Sequence, residues 1–193
     1  MFIQTEETPN PNTMKFLPGM DVMPMGQKLE FRSAKEAERV SPLAMLLFDI
    51  PGVCGIFLGE DFVTVTATQS SDWGELRPMI LGRLMDHFTA KMPIIFEDAS
   101  QNSFSMGDEE IFDESDADIV HEIKELLELR VRPAVAQDGG DIVFYGFKEG
   151  VVFLQLKGAC SGCPSSTLTL KHGIENMLKH YVPEVIAVEA VDT

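Results

Sequence analysis

Between Glu97 and Asp118 the chain carries nine carboxylates, Glu97, Asp98, Asp108, Glu109, Glu110, Asp113, Glu114, Asp116 and Asp118, and no lysine or arginine. Like charges at that density repel one another, and the Ser, Asn and Gly residues among them supply no apolar period on which a core can form. Hydrophobic residues must therefore be buried separately on the two sides. The 193 residues suffice for two small α+β domains, 1–96 and 119–193. The stretch 97–118 reads as an extended spacer between them rather than as a tail for a basic partner.

In the first domain short strand-like and helix-like segments alternate. Thr13–Leu17 and Asp61–Ala67 read as strands, and Pro42–Phe48 reads as a helix. Ser41 suits the N-cap, Pro42 suits the first helical position, and Ile50-Pro-Gly-Val53 turns the chain into the next strand. From Trp73 to about Lys91 a second helix places Leu76, Ile80, Leu84 and Phe88 on one face. That stripe and the methionines around it are expected in the core.

The second domain opens with Ile119, Ile123, Leu126 and Leu127 on one face of an amphipathic helix. At Pro133 this helix must break, kink or restart. Asp138-Gly-Gly-Asp141 is expected to be a tight turn, its aspartates capping nearby N–H groups rather than serving as acid–base or metal carboxylates. Strands over 142–147 and 151–156 flank the hairpin connection Lys148-Glu-Gly150. A helix from about Pro164 to Tyr181, with Leu170, Ile174, Met177, Leu178 and Tyr181 on its apolar face, and a strand over 185–191 complete an α-β-β-α-β order.

Between the second strand of that domain and its last helix lies Cys160-Ser-Gly-Cys163. A CxxC pair is half of a metal site. Structural zinc and iron–sulfur clusters usually take four strong ligands, and the only other cysteine among the three in the chain is the remote Cys54. Pro164 puts Cys163 at or beside a helix N-cap, where unpaired backbone N–H groups favour a thiolate, and Gly158 and Gly162 allow the backbone close to the sulfurs. Three chemistries compete. Zinc within one chain needs two further ligands, and the nearest candidates, His172 and Cys54, are weak: His172 lies off the apolar helix face, and His87, His121 and His180 lack a partner at ligand spacing. A redox dithiol belongs beside a parallel βαβ crossover, whereas this CxxC follows a hairpin strand. A site shared by two chains, each giving Cys160 and Cys163, makes up the shortage.

Charge and cysteine usage narrow the setting. A net charge of −16 repels phosphate backbones and anionic headgroups, so neither nucleic acid nor a membrane surface is an expected partner. No apolar run reaches the length of a membrane span, and the N-terminal residues lack the pattern of a secretory signal or a mitochondrial presequence. Three cysteines do not form a secreted disulfide framework. The expected compartment is a bacterial cytoplasm, or the mitochondrial matrix for a mature organellar chain.

The sequence resembles the Nfu family of iron–sulfur cluster scaffold and carrier proteins over nearly its whole length. Gln137-Asp-Gly-Gly-Asp141, the run from Leu156 through the CxxC to Glu175, and Val182-Pro-Glu-Val185 are similar to the family's NifU C-terminal domain. The segments 5–13, Phe16-Leu-Pro-Gly19, Ser41-Pro-Leu-Ala44 and 61–66 are similar to its N-terminal domain. The resemblance implies a non-enzymatic protein whose Cys160 and Cys163 bind a [4Fe–4S] cluster between two subunits. The cluster is received from an upstream donor or scaffold, holds the homodimer together, and passes to apo-proteins as recipient cysteines displace exposed thiolates one by one. The N-terminal domain then serves partner recognition or control of transfer. The long acidic spacer departs from the common family pattern, and Cys54 is outside the cluster motif, expected as a small buried hydrophobe. The alternative is a dithiol oxidoreductase.

Overall fold

The computed structural model describes residues 2–25, 27–96, 110–161 and 164–191, with their side chains except those of 164–166. The chain is α+β and divides into two compact units, Met1–Ser105 and Met106–Thr193. Most of the expected spacer, 97–109, lies outside the described residues.

The first unit is built on an antiparallel sheet of five strands, β1 (Gln4–Glu7), β2 (Thr13–Leu17), β3 (Leu29–Phe31), β4 (Val53–Leu58) and β5 (Val63–Ala67), in the order β1-β2-β5-β4-β3. Short α1 (Ala34–Ala37) leads to α2 (Pro42–Phe48), and α3 spans Trp73–Thr89. Helix α2 starts where a proline can donate nothing and none is needed, and Ser41 accepts the Ala44 N–H at 3.1 Å. The Ser41 hydroxyl also donates to the carbonyl of Ile94 at 2.6 Å, fastening the chain beyond α3 to the start of α2. Leu76, Ile80, Leu84 and Phe88 are buried with Leu43, Leu47 and the sheet residues Phe16, Ile56, Leu58, Val63 and Val65. The methionines beside that stripe are not core residues: Met79, Met85 and Met92 are exposed. Met79 and Met85 fall on the exposed side of α3 and Met92 lies beyond its end, so hydrophobicity alone does not say which residues the backbone buries.

In the second unit a helix α4 (Ala117–Leu126) passes through a π-turn (Leu127–Val131) into α5 (Arg132–Gln137). Pro133 thus restarts the helix rather than breaking it, because a proline in a first turn removes a donor that has no partner there. Strands β6 (Gly140–Lys148) and β7 (Val151–Gly158) form an antiparallel hairpin closed by Glu149 and Gly150, both at positive φ. Helix α6 (Pro164–Tyr181) then crosses to β8 (Ala187–Val191), which pairs with β7 in parallel. The CxxC therefore does sit in a parallel βαβ unit, and hairpin context cannot be held against a dithiol: β7 belongs to the hairpin and to the crossover at once.

Between the helices and one face of this sheet the second core gathers Val120, Ile123, Leu127, Val131, Ile142, Phe144, Leu154, Leu156, Ile174 and Leu178. Tyr181, expected on the apolar face, is exposed and lies under the Arg130 guanidinium. The end of the acidic stretch is structured. Ile111 donates to Tyr145 O at 3.1 Å and accepts from the Phe147 N–H at 2.8 Å, and Glu114–Asp116 forms a 3-10 turn before α4. Gly146 makes the pairing possible, since a Cβ there would stand 2.6 Å from Ile111 O.

Candidate metal centre

Cys160 lies in the turn that carries the chain out of β7. That turn forms because Gly158 adopts a positive φ, and its carbonyl accepts from both the N–H and the hydroxyl of Ser161, at 3.1 and 2.8 Å. From the first described turns of α6, Thr167 donates its hydroxyl to Cys160 O at 3.1 Å. Both ends of the Cys160 backbone are thus held. The second cysteine of the pair, Cys163, and Gly162 with it, lie outside the described residues.

The Cys160 thiol is not displayed to solvent. It is 7% exposed and packs with the second core, so the expectation of exposed thiolates does not hold for it. The reason is a glycine. A Cβ on Gly140, the first residue of β6, would stand 2.6 Å from Cys160 Sγ and 2.7 Å from Lys157 O, so the sulfur occupies the space a side chain would take. Gly139, at positive φ, turns the chain ahead of it and accepts the Ala159 N–H at 3.2 Å. Burial pushes the Cys160 thiol up to about 12, and the nearby carboxylates of Asp138 and Asp141 add to the shift. The thiolate-favouring environment argued for the helix N-terminus at Cys163 does not extend to Cys160.

The Asp138-Gly-Gly-Asp141 turn exists, and the Asp141 carboxylate in it forms an ion pair not expected from the sequence. That carboxylate is 3% exposed and takes a two-pronged bond from Arg132, with Nε to Oδ1 and Nη2 to Oδ2 both at 3.2 Å. Arg132 Nε also donates to Ile142 O at 3.2 Å, and Nη1 pairs with Glu128. No sequence signal linked Arg132 to Asp141. They stand nine residues apart across a helix end and a turn, and only the fold makes them neighbours.

Cys54 lies at a register shift in β4 and is exposed, its Sγ 3.5 Å from Thr66 O. It is not the buried hydrophobe expected, because the shift turns its side chain off the core face. His172 is on the exposed side of α6, and His121 and His180 are exposed. Among the described residues no three His, Cys, Asp or Glu side chains gather into a group able to hold a metal ion.

Comparison with known proteins matches one family to residues in each unit. Residues 3–91 match the family described as Scaffold protein Nfu/NifU N terminal, and residues 123–189 match the NifU-like domain. The NFU1 iron-sulfur cluster scaffold homolog, mitochondrial, of Drosophila virilis is 48% identical over 191 residues, covering 99% of this chain and 62% of its own length. The protein of the same name from Drosophila erecta is also 48% identical, over 99% of this chain and 65% of its own. The chain thus spans less than two thirds of these relatives. A solved NifU-like protein from Saccharomyces cerevisiae superposes with a TM-score of 0.46 at 26% identity, over 50% of this chain and 86% of that one. With an Nfu-type N-terminal domain followed by a NifU-like domain carrying the CxxC, the chain belongs to the Nfu family.

Proposed function

We propose that this protein is an iron–sulfur cluster scaffold and carrier that takes up a [4Fe–4S] cluster through Cys160 and Cys163 of two subunits and delivers it to apo-proteins. The observation that carries the reading is the Nfu-then-NifU order, with Cys160 seated on the turn between β7 and α6 that the NifU-like match spans. One chain offers two cysteines at the site against the four a cluster takes, so a second copy supplies the rest. The relatives named as iron-sulfur cluster scaffold homologues support the cargo. The role is that of a carrier rather than an enzyme.

What the chain's own residues do follows from the geometry. The Gly139-Gly140 turn leaves the space in which the Cys160 sulfur sits, Thr167 holds the Cys160 carbonyl, and Ser161 closes the turn onto Gly158. Binding of the cluster replaces the thiol proton, so uptake is coupled to deprotonation of Cys160. A buried ligand also protects the empty carrier from oxidation, which is useful in a protein that cycles between loaded and empty forms.

On this reading the domains are 1–96, a spacer 97–118 and 119–193, with the first serving partner recognition or transfer control. The partners are an upstream donor, apo-protein recipients and a second copy of the chain. Among the described residues no helix is long and apolar enough to cross a membrane. Of the compartments the sequence allowed, the relatives' names favour the mitochondrial one over a bacterial cytoplasm.

Anaerobic reconstitution with iron and sulfide, followed by metal counting and size determination, tests the reading. About four iron and four sulfide per dimer are expected, with no zinc retained. Iron-free monomer with a reversible Cys160–Cys163 disulfide would instead establish the oxidoreductase.

A further inference from the structure

The Arg132–Asp141 ion pair, its aspartate buried and its arginine partly exposed, lies outside the CxxC and one residue from the glycine on which the Cys160 sulfur rests. We propose that Arg132 is a positioning residue for the Cys160 thiolate, acting through Asp141 to hold the Gly139–Gly140 backbone against Cys160 Sγ. This rests on the assignment of Cys160 as a cluster ligand.

The mechanical path is short. Arg132 grips both carboxylate oxygens of Asp141 at 3.2 Å and the next carbonyl, that of Ile142, at the same distance. Two donors of one planar group, Nη2 and an Nε–H shared between Asp141 Oδ1 and Ile142 O, thus fix the position and direction of the chain at the start of β6. Asp141 pairs with Lys157 and Gly140 with Gly158 across the hairpin, so the clamped strand end and the strand that delivers Cys160 share one register. On the far side of Gly140, the Gly139 carbonyl receives the Ala159 N–H at 3.2 Å. The Cys160 sulfur is in contact range of the Gly140 Cα, with no room for a methyl group between them.

Loss of the guanidinium leaves a carboxylate that is 3% exposed without the partner that holds both its oxygens. A buried charge in that position turns toward water, and the strand end follows it. Gly140 then moves away from the sulfur and the Ala159 bond to Gly139 opens. Arg132 itself is anchored by Glu128 one helical turn back, so its guanidinium is fixed before it reaches the strand. A lysine keeps the charge but not the fork, and restores only part of the effect.

Residue-resolved amide hydrogen exchange on metal-free protein separates this role from a general contribution to folding. In Arg132→Gln the Ala159 amide should exchange about tenfold faster than any change seen at Val152 and Leu154 in the middle of β7, and Arg132→Lys should fall between. Asp141→Asn should give the same local change, and the double variant no more than either single one, because both act on one clamp. The loaded Arg132→Gln protein should lose iron to a chelator about tenfold faster. Wild-type protection at Ala159, equal acceleration throughout β7, additive single effects, or unchanged iron loss would each overturn the proposal. If Arg132→Gln does not fold, the size-matched pair Arg132→Met with Asp141→Leu is read by the same criteria. A wild-type protein that takes up no iron and sulfide would defeat the cluster reading instead, while the exchange data still decide whether the clamp exists.

Discussion

The two units treat their cysteines in opposite ways. In the first, Cys54 is exposed on a shifted strand with one weak contact to a carbonyl. In the second, Cys160 is packed into the core on a glycine seat, with its backbone held from both sides. On the proposed cluster reading, exposure is a poor guide to which thiol a protein uses. What distinguishes Cys160 is the structure spent on its position: two glycines, a positive-φ turn at each strand end, and an ion pair with a buried aspartate next to the seat.

The sharpest way to break that contrast is to remove each cysteine. Cys160→Ala and Cys163→Ala should each abolish cluster uptake and the dimerisation it drives, whereas Cys54→Ala should retain both. Iron and sulfide counts with size determination read all three. A Cys54→Ala protein that folds but holds no cluster would reverse the comparison and place the exposed thiol in the site.

Next in size is the glycine seat. Gly140→Ala introduces a methyl group 2.6 Å from Cys160 Sγ and 2.7 Å from a backbone carbonyl that cannot step aside. Overpacking of this kind costs about 1–3 kcal/mol, and it should fall on the second unit alone. The two units can be followed separately, since the one tryptophan, Trp73, lies in the first and both tyrosines, Tyr145 and Tyr181, lie in the second. In urea, the tyrosine-detected midpoint should drop while the Trp73 fluorescence midpoint stays in place.

The histidines divide along the same line. His121, His172 and His180 of the second unit are exposed, whereas His87 is buried in the first. Burial lowers its pKa from 6.5, and the carbonyls of Pro93 and Met92 offset part of that shift. In this pH range the unfolded chain takes up the proton more readily than the folded one. The stability that neutral His87 supports is present above 6.5 and is lost as the pH falls through the folded value. The Trp73-detected midpoint should decline on acidification below 6.5, and His87→Leu should flatten the decline. An unchanged slope in that variant would assign the pH dependence to other groups.

Much of this was readable in the sequence where the signal is local. Ser41-Pro42 located α2 to the residue because a cap and a proline act within one turn, and the spacing of Leu76, Ile80, Leu84 and Phe88 marked the buried side of α3 for the same reason. Glycine after a hairpin-length gap marked the β6–β7 connection, and the CxxC marked the candidate ligands. The features that were not readable depend on partners distant in sequence. The parallel pairing of β8 with β7, the Arg132–Asp141 clamp and the burial of Cys160 are set by how elements pack. Hydrophobicity misled where the methionines of α3 were taken for core, because position on the helix and not side-chain type decides burial.

The smallest expected effect comes from Gly82, the counterpart of Gly140 in the first unit. A Cβ built on Gly82 meets nothing within 4 Å, and the residue is exposed in the middle of α3 between the exposed Met79 and Met85. Among the described residues of its unit, no turn or close backbone approach needs a glycine there. Replacing it with alanine should raise stability by about 0.5–1 kcal/mol, the ordinary difference between the two residues in a helix interior. The Trp73-detected midpoint should rise and the tyrosine-detected one should not. The paired outcome, destabilisation at Gly140 and stabilisation at Gly82, follows from a single cause, which is whether another atom already occupies the place of the missing side chain. A Gly82→Ala protein with a lowered midpoint would show that this helix face is packed in solution against something other than water.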